Sequence, residues 1–268
     1  NENLDAPKEK LTLKKIGSKI LNYFAGSMTP LIPVLTVAGF AKIVTSLFGP
    51  TMLNLIAKDS STYILFDIIY NACFYYMPIL LGYTAAKKFG LPEMEGMVIG
   101  AGLLYPYMLD ASAMDISNIF GIPVILPSSG NYSSSVIPII CSIAFAAWLE
   151  KKYKKFIPDS CKLFLVPLIT CSVTFCLTLW VIGPITSFAA DLLSSFFTWL
   201  ASVSGLLFGL LVGGLWQVLV MFGLHWALVP LMLNDMATNG CSTFLTGFFG
   251  CTFAQCGAVL AIYLKTKN

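Results

Sequence analysis

The residues most able to do chemistry in this chain surround its single histidine, His225. Gln217 lies eight residues earlier, about 80° away around an ideal helix, so the two side chains can share one polar stripe. Trp216 and Trp226 flank this stripe, and Asn234 follows it. Imidazole, amide and indole groups together suit a neutral ligand rich in hydroxyls, because they supply both hydrogen bonds and an aromatic surface for its apolar face.

Two less specific interpretations of these residues remain open. His225 can be a core histidine that is hydrogen-bonded to a neighbouring carbonyl, and both tryptophans can belong to the aromatic belt at a membrane interface. A polar group in hydrocarbon costs several kcal/mol unless it has a partner or faces a wet cavity. We favour a binding role, because ionisable side chains at membrane depth usually face pathways rather than lipid.

The composition places these residues in a membrane protein. Hydrophobic residues make up 57% of the 268 positions, charged residues 11%, and the mean hydropathy is +0.81. A soluble domain carries about 25% charged residues. The net charge of +3 and the lack of a basic strip with interleaved aromatic residues argue against a nucleic-acid partner.

The other reactive side chains predict neither catalysis nor metal binding within this chain. Six of the eight cysteines lie in apolar segments and none forms a Cys-x-x-Cys pair, so we interpret them as packing residues. One histidine cannot complete the usual zinc patterns. Phosphate-loop, HExxH and GxSxG motifs are missing from the sequence, and we expect no cofactor.

The apolar pattern predicts an all-α integral membrane protein, a polytopic helical bundle of about eight membrane segments. A span needs about 20 apolar residues. The candidate segments are residues 30–49, 63–84, 97–109, 136–149, 163–182, 188–212, 215–233 and 244–264. Breaks are expected near residues 76–78, 105–106, 183–184 and 213–214, where proline or glycine interrupts the pattern, and a re-entrant hairpin can replace two spans.

The lysines orient this bundle. Clusters at residues 8–19, 87–88, 151–162 and 265–267 all fall on one side if eight segments alternate, which predicts a cytoplasmic N-terminus. Residues 11–25 carry an apolar stripe typical of an amphipathic helix on the membrane surface. Glu93 and Glu95 follow Lys87 and Lys88, and we expect these charges to form a solvated ion-pair cluster.

One part of the chain resembles a known family. Residues 223–230 read GLHWALVP and follow GLWQ at 214–217, and together they resemble the membrane (IIC) domain of phosphotransferase-system sugar permeases, in the β-glucoside-like branch of the glucose superfamily. Supporting stretches are GSMTPLIP at 26–33, AAKKFG at 85–90, GLLYP at 102–106 and YSSSVIP at 132–138. The resemblance extends from about Leu11 to the C-terminus.

This resemblance implies a function and a division of the chain. It implies an elevator-type homodimer in the bacterial cytoplasmic membrane that carries a sugar to a cytoplasmic IIB phosphocysteine, itself supplied by IIA. His225, Gln217, Trp226 and Asn234 become expected sugar ligands. Residues 1–28 correspond to a cytoplasmic linker and amphipathic helix, 29–187 to the dimerisation half, and 188–268 to part of the transport half.

Two departures from the family pattern keep an alternative open. The Gly-Ile-Thr-Glu motif, whose glutamate is the other main sugar ligand of the family, is missing, as is the Cys-x-Thr-Arg motif of IIB. We therefore expect a truncated permease that is not catalytic by itself. The alternative is a non-transporting membrane receptor or scaffold derived from such a permease.

Overall fold

The computed structural model is built almost entirely from α-helices, and it describes residues 13–106, 118–119, 121–124, 136–222, 225, 228, 232 and 243–266. Within those residues the α-helices are α1 Leu13–Met28, α2 Ile32–Phe48, α3 Ser61–Tyr75, α4 Met77–Phe89, α5 Glu93–Leu103, α6 Ile137–Tyr153, α7 Asp159–Leu177, α8 Gly183–Val203, α9 Gly205–Phe222 and α10 Thr243–Lys265. Short 3-10 turns cover Thr29–Leu31 and Lys154–Phe156, and a π turn covers Thr178–Ile182. The all-α prediction is confirmed, apart from a small antiparallel pair of strands, β1 Asn118–Ile119 and β2 Ile122–Pro123.

The residues at the helix ends explain where several of these helices begin and end. Proline occupies the first turn of α2, α4 and α6, where a helix leaves its first N–H groups without an intrahelical partner. Ser60 caps α3 by accepting a hydrogen bond from Tyr63 N at 3.2 Å. Gly90 ends α4 with a φ of +78°, a left-handed conformation that glycine adopts without steric cost.

Several helices are long and apolar enough to cross a membrane. Within the described residues four stretches meet this condition: Asn22–Phe48, Asp159–Val203, Gly205–Phe222 and Gly247–Lys265. A fifth candidate consists of α3 and α4 together, which are bent by 48° at the predicted break near Tyr76. Asp159–Val203 has 45 residues, about twice what one crossing needs. The predicted number of eight segments stays a prediction.

The prediction of a break at Gly213 and Gly214 was wrong, because α9 continues through both residues. Glycine in a helix interior costs only about 1 kcal/mol relative to alanine and keeps its N–H donor. The observed break lies at Ser204, which is extended with φ −160° and ψ 115° between α8 and α9. The predicted break at Gly183 and Pro184 was wrong as well, because the backbone stays helical there and the preceding π turn accommodates the proline.

Helix α4 packs most intimately against α5, and three glycines make this possible. A Cβ built on Gly82 would lie 2.2 Å from Gly96 O, and one on Gly96 would lie 2.2 Å from Gly82 O. At Gly100 the same construction meets Pro78 O at 2.2 Å. The two backbones are therefore in direct contact, a packing mode that small residues permit between membrane helices.

Two separate groups of buried apolar side chains hold the helices together. The first includes Phe24, Leu81, Ile99, Ile143 and Leu179, and it joins α1, α4, α5, α6 and the π turn. The second centres on residues of α8 and α9 and extends to Leu228 and Met232; its buried members are Phe197, Leu200, Phe208, Val212, Trp216, Leu219, Leu228 and Met232. The chain thus has one core before about residue 187 and another after it.

Helix α1 confirms the predicted N-terminal helix. Its Tyr23 ring stacks on Phe89 of α4, with the ring centroids 4.7 Å apart and the planes 9° from parallel. Phe24, one residue of the apolar stripe, is buried against Phe222 of α9 at a centroid distance of 5.1 Å. Ile20 of the same stripe is 48% exposed. Part of the stripe therefore packs on the protein, while its placement on a membrane surface stays a prediction.

Candidate functional site

The structure brings His225 against Trp216, the tryptophan at the centre of the second core. Trp216 lies on α9 and is only 7% exposed. Its ring stacks on Phe248 of α10 with a centroid distance of 4.4 Å and an interplanar angle of 13°. The His225 ring meets Trp216 edge-on, with centroids 6.0 Å apart and planes at 64°. An imidazole beside a large aromatic face is thus a real feature of the fold.

The close approach of α9 and α10 produces this arrangement. A Cβ built on Gly213 would lie 3.2 Å from Gly247 O, and one on Gly247 would lie 3.3 Å from Val212 Cγ1. Because neither residue has a side chain, the helices pack closely there, and Phe248 comes next to the Trp216 ring. Both glycines therefore support the aromatic side of the candidate site.

The His225 ring is held by the backbone as well as by Trp216. It is hydrogen-bonded to the backbone of Leu219, within the last turns of α9. Its own carbonyl accepts from Leu228 N at 3.0 Å, and Leu228 is fully buried. A backbone-bonded histidine agrees with the less specific interpretation of the sequence. It also agrees with a binding role, because a ligand residue needs a fixed ring orientation.

Gln217 is directed to a different partner from the one the sequence suggested. Its Nε2 donates a hydrogen bond to Gln255 Oε1 across the α9–α10 contact. Helix α9 ends at Phe222, so the ideal-helix relation between Gln217 and His225 does not apply across these residues. The neighbouring Trp216 contacts His225. A sugar-binding role for Gln217 stays a prediction.

Two of the proposed ligands, Trp226 and Asn234, lie outside the described residues. Gln255 was missed by the sequence reasoning, although an amide inside the apolar run of residues 244–264 was a usable signal. Its side chain is exposed and bonded to Gln217. Gln217 and Gln255 therefore form a polar link at the surface of the α9–α10 pair.

A second polar cluster lies at the lysine-rich end of the bundle. The expectation that Glu95 is solvated was wrong, because the residue is 8% exposed between α5 and the neighbouring helices. Glu150, the last acidic residue of α6, is 6% exposed and accepts a 2.7 Å hydrogen bond from Lys154. Sequence spacing did not predict the burial of Glu95 and Glu150, because it depends on the contact of α5 with α6, which are distant along the chain.

Comparison with protein families assigns the chain. The family model described as "Phosphotransferase system, EIIC" matches residues 25–267. This match covers most of the chain, which therefore belongs to the EIIC family of the phosphotransferase system and is a helical membrane protein. No solved structure was found to match the chain.

Curated relatives place the chain within that family. It is 41% identical to the β-glucoside-specific EIIBCA component of Halalkalibacterium halodurans, over 94% of this chain and 41% of the relative. The corresponding component of Dickeya chrysanthemi is 36% identical, over 98% of this chain and 42% of the relative. The sucrose-specific EIIBC component of Klebsiella pneumoniae is 29% identical, over 96% of this chain and 57% of the relative. The chain spans about two fifths of the length of the β-glucoside relatives. The family resemblance inferred from residues 214–230 is confirmed.

Proposed function

We propose that this chain carries a sugar across the bacterial cytoplasmic membrane as the membrane part of a phosphotransferase-system permease. The observation that supports this most directly is the match to the EIIC family over residues 25–267. The names of relatives at 41% and 36% identity favour a β-glucoside as the substrate, and a relative at 29% identity makes sucrose the second choice. None of these names favours the non-transporting alternative.

In this proposal His225 and Trp216 form one wall of the sugar site. An imidazole nitrogen binds a sugar hydroxyl, and the buried Trp216, stacked on Phe248, holds the imidazole ring in place. Gln217 and Gln255 add amide groups that can exchange their mutual bond for bonds to hydroxyls. Trp226 and Asn234 complete the proposed ligand set.

The chain itself binds and orients the sugar rather than forming a phosphoryl intermediate. The Cys-x-Thr-Arg motif of IIB is absent from residues 1–268. We propose that a IIB phosphocysteine, recharged by IIA, phosphorylates the bound sugar at the cytoplasmic face. The EIIBCA names of the relatives support these two partners. We also propose a cytoplasmic N-terminus, which places most of the lysines on the cytoplasmic face of the membrane, where IIB acts.

The two cores support the proposal that the chain has two halves with different roles. Residues 29–187 contain most of the first core, and we propose that they form the dimerisation half. Residues 188–268 contain the second core and His225, and we propose that they belong to the half that moves in an elevator-type transport step. The homodimer and the elevator motion are inferred from family resemblance.

Direct binding measurements test the sugar site. Purified chain in detergent is titrated calorimetrically with a β-glucoside, sucrose, trehalose and glucose, and His225→Ala is compared with the unchanged protein. We expect the β-glucoside to bind most tightly. Loss of one hydrogen bond to a buried polar partner costs about 1–3 kcal/mol, so His225→Ala should weaken binding roughly 5- to 150-fold.

Phe253→Ala is the matched control, because Phe253 lies on α10 but is 72% exposed. It should bind sugar like the unchanged protein. Equal affinities of the His225→Ala and unchanged proteins would refute the site assignment. If the folded chain binds none of the four sugars, the same titration with a protein extended to the length of its relatives shows whether essential ligands lie outside residues 1–268.

A further inference from the structure

Two carboxyl groups are buried at the lysine-rich end of the bundle, on helices α5 and α6, which contact each other. Glu95 lies in the first turn of α5 and Glu150 in the last turn of α6, and both residues are more than nine-tenths buried. Neither residue falls in any of the candidate membrane spans. An ionised carboxylate is very costly to bury unless a cation and hydrogen bonds compensate it. The compensation available to each group therefore decides its charge.

Glu150 has the better compensation. Lys154 Nζ donates to Glu150 Oε1 at 2.7 Å, and the lysine side chain is itself 52% exposed. This charge-assisted bond favours the ionised carboxylate. The other oxygen, Oε2 of Glu150, is buried without a hydrogen-bond partner among the described residues. Lys154 thus neutralises the charge of Glu150. It is the one cation paired with either carboxyl group among the described residues.

Within the described residues, no ion pair is formed by Glu95. Its carboxyl group lies beside the hydroxyl of Thr170 on α7, which donates to Val166 O at 2.9 Å and lies 2.5 Å from Tyr153 Oη. Oε2 of Glu95 is buried and has no hydrogen-bond partner in the part of the chain that the structure describes. A carboxyl group in this position can bond to Thr170 equally well when it carries a proton, because a hydroxyl both donates and accepts.

Other titratable groups on the surrounding helices do not supply a second cation to Glu95. On α4 the last-turn lysines are Lys87 and Lys88; both are exposed, and Lys88 extends over Gly26 of α1. On α5 itself Glu93 is a further acid. Lys151 and Lys152 of α6 are exposed, and Lys162 of α7 donates to Asp159. The groups on α6 and α7 that the charge of Glu95 affects are Tyr153 and Cys171, and neither carries positive charge in any protonation state. Among the residues that the structure describes, the site therefore holds two acids and one ammonium group, which is already paired with Glu150.

We propose that Glu95 and Glu150 form a proton-binding site that holds one proton, carried by Glu95, while Glu150 remains ionised and paired with Lys154. The proton removes the repulsion that two buried carboxylates would otherwise exert across the contact of α5 with α6 and α7. Protonation of Glu95 is therefore a condition for close packing at this end of the bundle.

The electrostatics of the site agree with this assignment. Burial raises the pKa of Glu95 above its ordinary value, and the negative charge of Glu150 raises it further, whereas Lys154 and the Thr170 hydrogen bond lower it by less. The hydrogen bond and charge of Glu150 raise the pKa of Lys154, so its ammonium group stays protonated. Protonation of Glu95 thus leaves Glu150 and Lys154 as a neutral ion pair.

The direction of the pH effect follows from the raised pKa. The folded protein binds this proton more strongly than the unfolded chain, whose ordinary glutamate pKa is 4.5. The stabilisation from the proton is complete below that value and is lost as the pH rises through the higher folded pKa. Raising the pH should therefore loosen the contact of α5 with α6 and α7.

Infrared difference spectroscopy of the full chain in lipid tests the proposal directly, because a protonated carboxyl group has a carbonyl band distinct from that of a carboxylate. We expect one such band to disappear as the pH is raised, and to be missing at every pH in Glu95→Gln. The matched control Glu93→Gln changes a neighbouring acid in the same helical turn and should retain the band. Glu150→Gln should lower the pH at which the band disappears, because Lys154 then becomes available to Glu95.

A band that persists in Glu95→Gln and vanishes in Glu150→Gln would overturn the assignment of the proton to Glu95. A band unchanged in both variants would overturn the site. Thermal unfolding gives an independent measure: the Tm of the unchanged protein and of Glu93→Gln should fall as the pH rises, and that of Glu95→Gln should fall less. Parallel Tm curves for all three proteins would contradict the proposed role in packing.

Discussion

The contact between α4 and α5 makes a sharp prediction about Gly96. An alanine Cβ at this position would lie 2.2 Å from Gly82 O and 2.6 Å from Ala86 Cβ. An ordinary carbon–oxygen contact needs about 3.2 Å, so α4 and α5 would have to separate by roughly 1 Å. Because the obstructing oxygen belongs to the backbone, no side-chain rotation can relieve the clash.

The expected loss of stability combines two opposing effects. Overpacking of this kind costs about 1–3 kcal/mol, and the better helix propensity of alanine returns up to about 1 kcal/mol. With an overpacking cost of about 2 kcal/mol, the middle of this range, the net loss is about 1–2 kcal/mol, which corresponds to a fall in Tm of roughly 2–8 °C for a protein of this size. Thermal unfolding in detergent, followed by tryptophan fluorescence, measures it.

Gly39→Ala is the matched control for Gly96→Ala. Gly39 lies inside α2, and no atom lies within 4 Å of a Cβ built there. This substitution should leave the Tm unchanged or raise it slightly. If Gly96→Ala unfolds at or above the temperature of the unchanged protein while Gly39→Ala behaves as expected, direct backbone contact between α4 and α5 is refuted.

Two further predictions concern buried side chains of α6 and α7. Ser142 Oγ lies 2.6 Å from Thr178 Oγ1, and both residues are fully buried. Ser142→Ala should therefore lower the free energy of unfolding by about 1 kcal/mol, measured as a lower Tm. An equal loss in a Thr178→Val background would show that the two hydroxyls do not interact. Replacing the partly buried Cys171 by alanine should leave sugar phosphorylation intact when IIB is supplied, and loss of phosphotransfer in a folded variant would contradict its packing role.

Much of the helical architecture was accessible from the sequence because it depends on neighbouring residues. Long apolar runs predicted the membrane helices, and Pro78 predicted the bend between α3 and α4, since a proline cannot donate to the preceding turn. Glycine was less informative. The pair Gly213 and Gly214 leaves α9 intact, whereas Ser204 interrupts the helix without a sequence pattern that had singled it out.

By itself, the sequence determined that this is a helical membrane protein of the EIIC family and that His225 is the residue to test first for ligand binding. The tertiary structure decided which side chains are neighbours and which are buried: it placed Trp216 against His225, paired Gln217 with Gln255, and buried both Glu95 and Glu150. The physical reason is that helix formation depends on local backbone chemistry, whereas burial and pairing depend on how helices distant in sequence pack together.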